Sequence, residues 1–272
     1  MSGAGRFAPS PTGPLHEGSL VAALASFLDA RAHGLKWWVR MEDLDPPREQ
    51  AGAAAQILQQ LRDHGLTWDD WPDAPRGVLF QSARHAAYET ALQALQPQFV
   101  FACSCTRSQL EEAVRRGETT RLPEGEVRYP GTCRHAPAQA QTAARSWRFC
   151  SPQGENDFVV RRADGLWAYH LAVVVDDAYQ GVTRVVRGAD LEQMLPRHRW
   201  LQEALGLPKT EVLHVPLVVN ARGEKLSKQT QAPALGSGQA VHGQLTRAWT
   251  HLEQHMPRAW VERVLPVWKT LC

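Results

Sequence analysis

Two stretches of this chain concentrate residues that handle phosphate. The first is Arg6-Phe7-Ala8-Pro9-Ser10-Pro11-Thr12-Gly13-Pro14-Leu15-His16-Glu17-Gly18-Ser19. Its prolines stiffen a loop, and Gly13 and Gly18, lacking a Cβ, let the backbone approach a flat or anionic ligand. A helix beginning near Gly18 would aim N–H groups and a partial positive charge at that ligand. His16 lies just before this helix, where an imidazole can donate to a phosphate. The second stretch is Gly223-Glu224-Lys225-Leu226-Ser227-Lys228-Gln229. Two lysines three apart, with a serine beside the second, make a cationic loop suited to neutralising charge on a transferring phosphoryl group. A lysine loop alone is ordinarily solvated surface. Both stretches in one chain point instead to nucleotide chemistry. Neither GxxxxGK[ST] nor GxGxxG after the first strand occurs, which excludes a P-loop and leaves a dinucleotide fold with little support.

A third cluster is metal-like. Cys103-Ser104-Cys105 is followed by Tyr129-Pro130-Gly131-Thr132-Cys133. Zinc takes four ligands, most often thiolates and imidazoles. Three cysteines are present, so a fourth group is needed, and His135 is the conventional candidate on softness grounds. The bland reading is three inert buried thiols. Five cysteines, an odd number in a long chain, argue against a disulfide scaffold. Cys150 and Cys272 have no role in this reading.

The elements that position these residues follow from periodicity. Arg6-Phe7-Ala8 reads as a strand stopped by Pro9. Leu20, Ala23, Leu24, Phe27 and Leu28 recur at helical spacing, and Lys36 to Glu42 alternates as a strand does. Ala54, Ile57, Leu58 and Leu61 give a second helix closed by Gly65; Ala87, Tyr88, Ala91, Leu92 and Leu95 give a third. This alternation implies βαβ units and an α/β fold with a Rossmann-like parallel sheet. It breaks after Phe101, where residues 103–150 carry Cys, Gly and Pro punctuation and a weak basic bias. Strands are expected at Asp157–Arg162 and Leu166–Val175, joined by a turn at Ala163-Asp164-Gly165. A strand at Val182–Val186, a helix near Glu192–Leu205 and a strand at His214–Val219 complete the alternation. Residues 232–239 read as a linker and the remainder as helical. The expected segmentation is a first half over 1–100, an inserted metal-binding subdomain over 101–155, a second half over 156–230 and a helical C-terminal segment over 231–272.

Composition sets outer bounds. Of 272 residues, 43% are hydrophobic and 21% charged, which excludes wholesale disorder. The formal charge of +2 lends no support to nucleic-acid binding from charge alone. No apolar run reaches the ~18–20 residues a bilayer demands, and the first ten residues lack a signal-peptide pattern. A soluble, cytoplasmic protein with no membrane partner is expected, monomeric by default.

The two phosphate-handling stretches resemble the HIGH and KMSKS signatures of class I aminoacyl-tRNA synthetases, here His16-Glu17-Gly18-Ser19 and Lys225-Leu226-Ser227-Lys228-Gln229. The wider string RFAPSPTG, with Arg40-Met41-Glu42-Asp43 and Val186-Arg187-Gly188-Ala189-Asp190, narrows the resemblance to the glutamyl branch over about residues 5–230. Ser19 and Gln229 depart from the two signatures, while His16, Gly18, Lys225, Ser227 and Lys228 keep them. Cys272 lies 44 residues beyond Lys228, too few for the anticodon-reading region of a full glutamyl-tRNA synthetase. The chain is therefore similar to the short paralogues, the glutamyl-queuosine tRNA(Asp) synthetases.

The resemblance implies a specific reaction. Such enzymes activate L-glutamate with ATP, without needing tRNA, and esterify it onto queuosine in the anticodon loop of tRNA(Asp). His16, Gly18, Ser19, Lys225, Ser227 and Lys228 are implied as catalytic, with His16, Gly18 and Lys228 holding ATP and Mg²⁺ accompanying it. Arg6, Phe7, Ala8, Pro9, Ser10, Glu42, Tyr169 and Arg187 are implied to hold glutamate. Glu42 would meet the ammonium, and the arginines and tyrosine the side-chain carboxylate. Arg6, Glu42 and Arg187 end strands, and Tyr169 lies on an expected strand, so strand ends would form the pocket. The alternatives for Glu42 are pairing with Arg40 or Arg48, and for Arg187 a surface pair with Asp190. Asp43 or Asp45 would orient the acceptor. The resemblance also makes Tyr129 the fourth ligand of a structural Zn²⁺ beside Cys103, Cys105 and Cys133, with His135 its rival. Two other functions remain open: a trimmed glutamyl-tRNA synthetase charging the 3′ end, or a non-catalytic module binding RNA or an adenylate.

Overall fold

The computed structural model describes residues 3–72, 74, 77–96, 98–123, 125–135, 145–154, 156–219, 226 and 233–271. In chain order it holds β1 (Ala4–Phe7), α1 (Glu17–Ala32), β2 (Lys36–Met41), α2 (Ala53–Asp63), β3 (Leu79–Phe80), α3 (His85–Leu95), β4 (Val100–Cys103), α4 (Arg107–Arg115), β5 (Ser146–Phe149), β6 (Phe158–Arg161), α5 (Tyr169–Tyr179), β7 (Arg184–Gly188), α6 (Leu195–Ala204), β8 (Glu211–Val215), α7 (Ala240–His255) and α8 (Arg258–Leu271). None of these helices is long and apolar enough to cross a membrane.

The chain forms two compact units: Met1–Ala83, Asp177–Gln193 and Thr210–Cys272 in the first, Arg84–Asp176 and Met194–Lys209 in the second. The first unit carries the expected parallel sheet. β1 pairs parallel with β2, and β2 with β3. β7 pairs parallel with β8, with Arg187 opposite His214. A parallel bridge between Ala4 and Val182, and the Thr183 N–H donating to the Ala4 carbonyl at 2.9 Å, join the two groups of strands.

Helix α1 is the axis of this unit's core. Leu20, Val21, Leu24, Ala25, Phe27 and Leu28 are all buried, which covers more than one side of a 3.6-residue helix. Strand residue Trp37 and α2 residues Ile57, Leu58 and Leu61 pack in one cluster with them, as do Leu245, Trp249, Leu252 and Trp260 of the last two helices. Each such side chain contributes about 1.5–3 kcal/mol on burial. Asp29 on α1 is buried and accepts from Arg184 Nε at 2.8 Å and Trp260 Nε1 at 3.0 Å, tying the helix to β7 and α8. The pose of α1 is thus fixed on several sides, and so is the direction of its N-terminus.

The second unit centres on an antiparallel sheet, β4–β5–β6. The stretch around 103–150, nearly devoid of period in sequence, includes α4, whose Thr106 and Gln109 close a reciprocal capping box. One expectation fails here. Leu166–Val175 is not a strand: only Trp167 bridges to Arg161, and α5 begins at Tyr169. The run Leu171-Ala172-Val173-Val174 is buried throughout, and a short run apolar on every face carries no period that separates strand from helix. Its valines bias the reading toward strand. The turn at 163–165 is present, with the Arg162 N–H donating to the Leu166 carbonyl at 2.8 Å.

Candidate active site

The first unit places the proline–glycine stretch as the loop from β1 into α1. His16 is the N-cap of α1, and its Nδ1 accepts from the Ser19 N–H at 3.3 Å. An accepting Nδ1 is unprotonated, so the neutral ring carries its proton on Nε2 and is a donor there. The Ser19 amide is therefore committed to the cap, while the amides of Glu17 and Gly18 precede the first intrahelical bond. Gly13 adopts φ +131°, and a side chain there would meet Gln50 Oε1 at 3.2 Å. The loop is stitched to its surroundings by backbone bonds: the Glu42 N–H donates to Pro9 O and the Gln50 N–H to Pro11 O, each at 3.0 Å.

One residue of the second signature approaches the first. Lys225, Ser227, Lys228 and Gln229 lie outside the described residues, but Leu226 between them is described. Its N–H donates to Val218 O at 2.9 Å. Its carbonyl lies 3.3 Å from where a Cβ on Gly18 would stand, so only glycine leaves that approach undisturbed. The same unit holds a cavity of about 380 Å³ lined by Phe7, Ser10, His16, Ser19, Asp190 and Leu226, among others that include Ala8, Pro9 and Gly18. That volume suits a small organic ligand. A buried side chain from α2 joins two nearby segments: Gln60 Oε1 accepts from Leu15 N at 2.8 Å, and its Nε2 donates to Leu235 O at 3.2 Å.

A chain of alternating charges lies beside the ends of β1 and β2. Asp177 Oδ1 accepts from Arg6 Nε at 3.2 Å and from Arg40 Nη1 at 2.8 Å. Arg40 Nη1 also reaches Gln180 Oε1 at 3.0 Å, and Arg40 Nη2 reaches Glu42 Oε1 at 3.2 Å. Arg6 and Asp177 are buried, and Arg40 is fully so. Burial pushes the Glu42 carboxyl up, outweighing the pull of Arg40 and Arg6. Burial would also raise Asp177, but Arg6 and Arg40 together hold it below its ordinary value. Of the two pairings open for Glu42, the one with Arg40 forms, and Arg48 pairs with Asp45 instead. Arg187, at the end of β7, is buried rather than a surface group, and donates to Leu191 O at 3.1 Å and towards His214 Nε2 at 3.4 Å. Burial and the Arg187 charge lower the His214 pKa, which keeps that ring an acceptor. Asp43 accepts from the Ser82 N–H at 2.9 Å. Such a set presents a carboxylate and two guanidinium groups at strand ends, the inventory that a zwitterion with an extra carboxylate requires.

The second unit holds the remaining residues. The sulfurs of Cys103, Cys105 and Cys133 lie within 4.8 Å of one another, close enough to hold a metal ion, and His135 does not join the group. The Tyr129 hydroxyl sits among them, 3.4 Å from Cys103 Sγ and 3.7 Å from Cys105 Sγ, while Cys105 and Cys133 are 3.6 Å apart. Zn–S and Zn–O bonds of tetrahedral zinc imply ligand–ligand edges of ~3.4–3.8 Å, and these three separations fall in that range. Burial pushes the Cys105 thiol up to about 11; at Cys133 bonds with Tyr129 and Ser104 outweigh burial and hold the thiol at about 6. The Arg148 guanidinium covers the Tyr129 ring at 4.1 Å. Tyr169 starts α5, a correction to its expected place on a strand. Its ring packs against His170 at 5.7 Å and His198 at 5.6 Å.

Sequence reasoning overlooked Asp177, Gln180 and Gln60, and gave Arg40 no role beyond its place in a motif and as an alternative partner for Glu42. For Gln60 a signal existed: it lies between Leu58 and Leu61 and three residues after Ile57, on the side of α2 that faces inward. For Asp177 none did, since its partner Arg6 is 171 residues away.

Comparison with known proteins fits these features together. The family described as tRNA synthetases class I (E and Q), catalytic domain, matches residues 4–150 and 149–244. Glutamyl-Q tRNA(Asp) synthetase of Thiobacillus denitrificans is 53% identical over 251 residues, covering 85% of this chain and 79% of that protein. The protein of the same description from Bordetella bronchiseptica is 50% identical over 270 residues, with 91% and 81% covered. Among solved structures, glutamate–tRNA synthetase from Elizabethkingia anophelis superposes with a TM-score of 0.71 at 27% identity, covering 84% of this chain and 53% of that one. The chain thus spans about half the length of that solved synthetase but most of the two relatives. On this likeness across nearly its whole length, the chain belongs to the class I tRNA synthetases of the E and Q branch, in the family of glutamyl-Q tRNA(Asp) synthetases.

Proposed function

We propose that this protein activates L-glutamate with ATP and transfers the glutamyl group to queuosine in the anticodon loop of tRNA(Asp). The observation that carries the reading is the cavity at the start of α1, which His16, Ser19 and Leu226 all line. In the first step an α-carboxylate oxygen of glutamate attacks the α-phosphorus of ATP, and the bond to pyrophosphate breaks. No covalent enzyme intermediate is needed; the protein positions the reactants and stabilises charge. His16 donates from Nε2 to a phosphate oxygen, and the helix N-terminus adds its partial charge. Lys225 and Lys228 neutralise the departing pyrophosphate, with Ser227 between them as a further donor. Mg²⁺ enters with the nucleotide, held largely by phosphates and water.

Glutamate binds by the charges at the strand ends. Glu42 takes the ammonium, and Arg6 and Arg187 take the side-chain carboxylate. A neutral amide in place of that carboxylate would leave the guanidinium groups poorly paired, which disfavours glutamine. In the second step a hydroxyl of queuosine attacks the adenylate carbonyl and AMP leaves. Cys103, Cys105, Tyr129 and Cys133 hold a structural Zn²⁺ that staples the segment around them. The reaction places the protein in the cytoplasm, where its tRNA is.

The test is mass analysis of tRNA(Asp) after incubation with protein, ATP and glutamate. The reading expects a glutamyl adduct on the queuosine nucleotide, and glutamate-dependent ATP–pyrophosphate exchange without tRNA. An adduct at the 3′ end, or exchange that requires tRNA, would make the protein a trimmed glutamyl-tRNA synthetase instead.

A further inference from the structure

Glu42 and Arg6 end different strands, and no bond between them holds them at a set distance. Two residues outside the proposed ligand contacts do. Along the series Arg6, Asp177, Arg40, Glu42, charges alternate and each neighbour pair bonds, at 3.2, 2.8 and 3.2 Å. Asp177 grips Arg6 through Nε, the edge of the guanidinium, which leaves its two Nη groups as a fork for another carboxylate. Among the described residues Asp177 is the one side-chain partner of Arg6. Arg40 occupies Oε1 of Glu42, which leaves Oε2 for a cation. Gln180 braces Arg40 from a third direction at 3.0 Å. Two positive and two negative charges cancel within the buried series, so none stands as an isolated buried ion.

We propose that Arg40 and Asp177 are positioning residues that set the separation and orientation of Arg6 and Glu42, and thereby the preference for a ligand with a carboxylate at one end and an ammonium at the other. This rests on the glutamate reading above. Neither residue touches the ligand; both act through the groups that do. Removing the Asp177 charge releases the Arg6 fork and leaves two buried guanidinium groups to repel one another.

Pyrophosphate exchange by the full chain, with KM for glutamate and for ATP measured separately, tests this. Wild type first decides the underlying reading: exchange indifferent to glutamate overturns that reading and this role with it. Given glutamate-dependent exchange, Asp177→Asn keeps the side-chain size and one acceptor. It is expected to raise KM for glutamate about ten- to hundredfold, the loss of one charge-assisted bond, while KM for ATP stays within about twofold. It should also narrow the preference for glutamate over glutamine. Arg40→Lys keeps the charge, but one ammonium cannot serve both Asp177 and Glu42, so a similar, smaller glutamate-specific rise is expected. Folding of each variant is read from its thermal melt. If Asp177→Asn does not melt cooperatively, Gln180→Met decides, since it removes only the brace and is expected to raise KM for glutamate about threefold. An unchanged KM for glutamate in the folded variant, or equal rises for glutamate and ATP, overturns the proposal.

Discussion

Gln60→Leu separates what the amide of residue 60 does from what its volume does. The wild-type side chain is buried, accepts from Leu15 N at 2.8 Å and donates to Leu235 O at 3.2 Å. Leucine fills similar space and can do neither. The Leu15 N–H is then left buried without an acceptor, at a cost of about 1–3 kcal/mol, and the lost Leu235 bond adds roughly 1 kcal/mol. Leu235 N still donates to Leu15 O at 2.9 Å, so the two segments remain in contact. The expected total is about 2–4 kcal/mol. For a unit of this size that lowers the melting temperature by roughly 4–16 °C. Because Leu15 precedes His16 and Leu235 follows the lysine loop, KM for ATP should rise more than KM for glutamate. Thermal unfolding by circular dichroism, paired with pyrophosphate exchange at varied ATP, measures both. A melting temperature within a degree or two of wild type, with KM for ATP unchanged, would refute the assignment of Gln60 as the brace between the Leu15 and Leu235 segments.

Other perturbations act on different parts of the molecule. Arg187→Ala should stay folded and lose roughly 1.5–3 kcal/mol of glutamate binding, seen as a rise in KM for glutamate of ten-fold or more; wild-type exchange would sink its role. Gly18→Ala puts a Cβ 3.2 Å from His16 Cε1 and 3.3 Å from Leu226 O, so exchange should slow at least tenfold without loss of fold, as read by kcat. Cys103→Ser should lower the zinc content of freshly purified protein by elemental analysis, and wild-type protein lacking zinc would end the metal assignment. The Glu42 carboxyl is raised by burial, so kcat/KM for glutamate should fall on acidification above the ordinary carboxylate value of ~4.3. The sign for stability is opposite there. A raised folded pKa makes ionised Glu42 a cost at neutral pH that disappears as pH drops through that pKa. Asp177, held low by Arg6 and Arg40, instead stabilises the fold above its unfolded pKa and loses that contribution as pH falls through its lower folded one. Glutamate-specific activity should therefore fail at a higher pH than the fold does, and a coincident loss would contradict the assignment.

What the sequence revealed, and what it hid, divides by the range of the interactions. Helices α1, α2 and α3 were legible because their apolar residues repeat every three or four positions. The parallel sheet was legible from the alternation of strands with those helices. Helix α5 was not, because Leu171 to Val174 is buried on all sides and leaves no polar face to mark a period. The loop from β1 into α1 was legible as a local proline–glycine string. The charge series was not. Asp176 and Asp177 are adjacent and alike in sequence, yet one accepts from Arg84 and Tyr88 and the other from Arg6 and Arg40. Consecutive residues on a helix diverge by about 100°, and only the packed fold says which direction leads to which partner. The Tyr129 phenol shows the same limit: spacing alone favours no fourth ligand over His135, while the packed hydroxyl sits among the three sulfurs.

The last two helices wrap α1 with Leu245, Trp249, Leu252 and Trp260, and the Trp260 indole is pinned to Asp29. A protease cut or a premature stop ahead of Ala240 would therefore do damage beyond the residues it removes. It would wet one flank of the rod whose tip bears His16, and the start of α1 would lose its aim although none of its own residues had been removed. Anyone shortening the polypeptide for crystallisation, or splicing another module onto it, has to treat the final thirty-odd residues as part of what holds α1 in place.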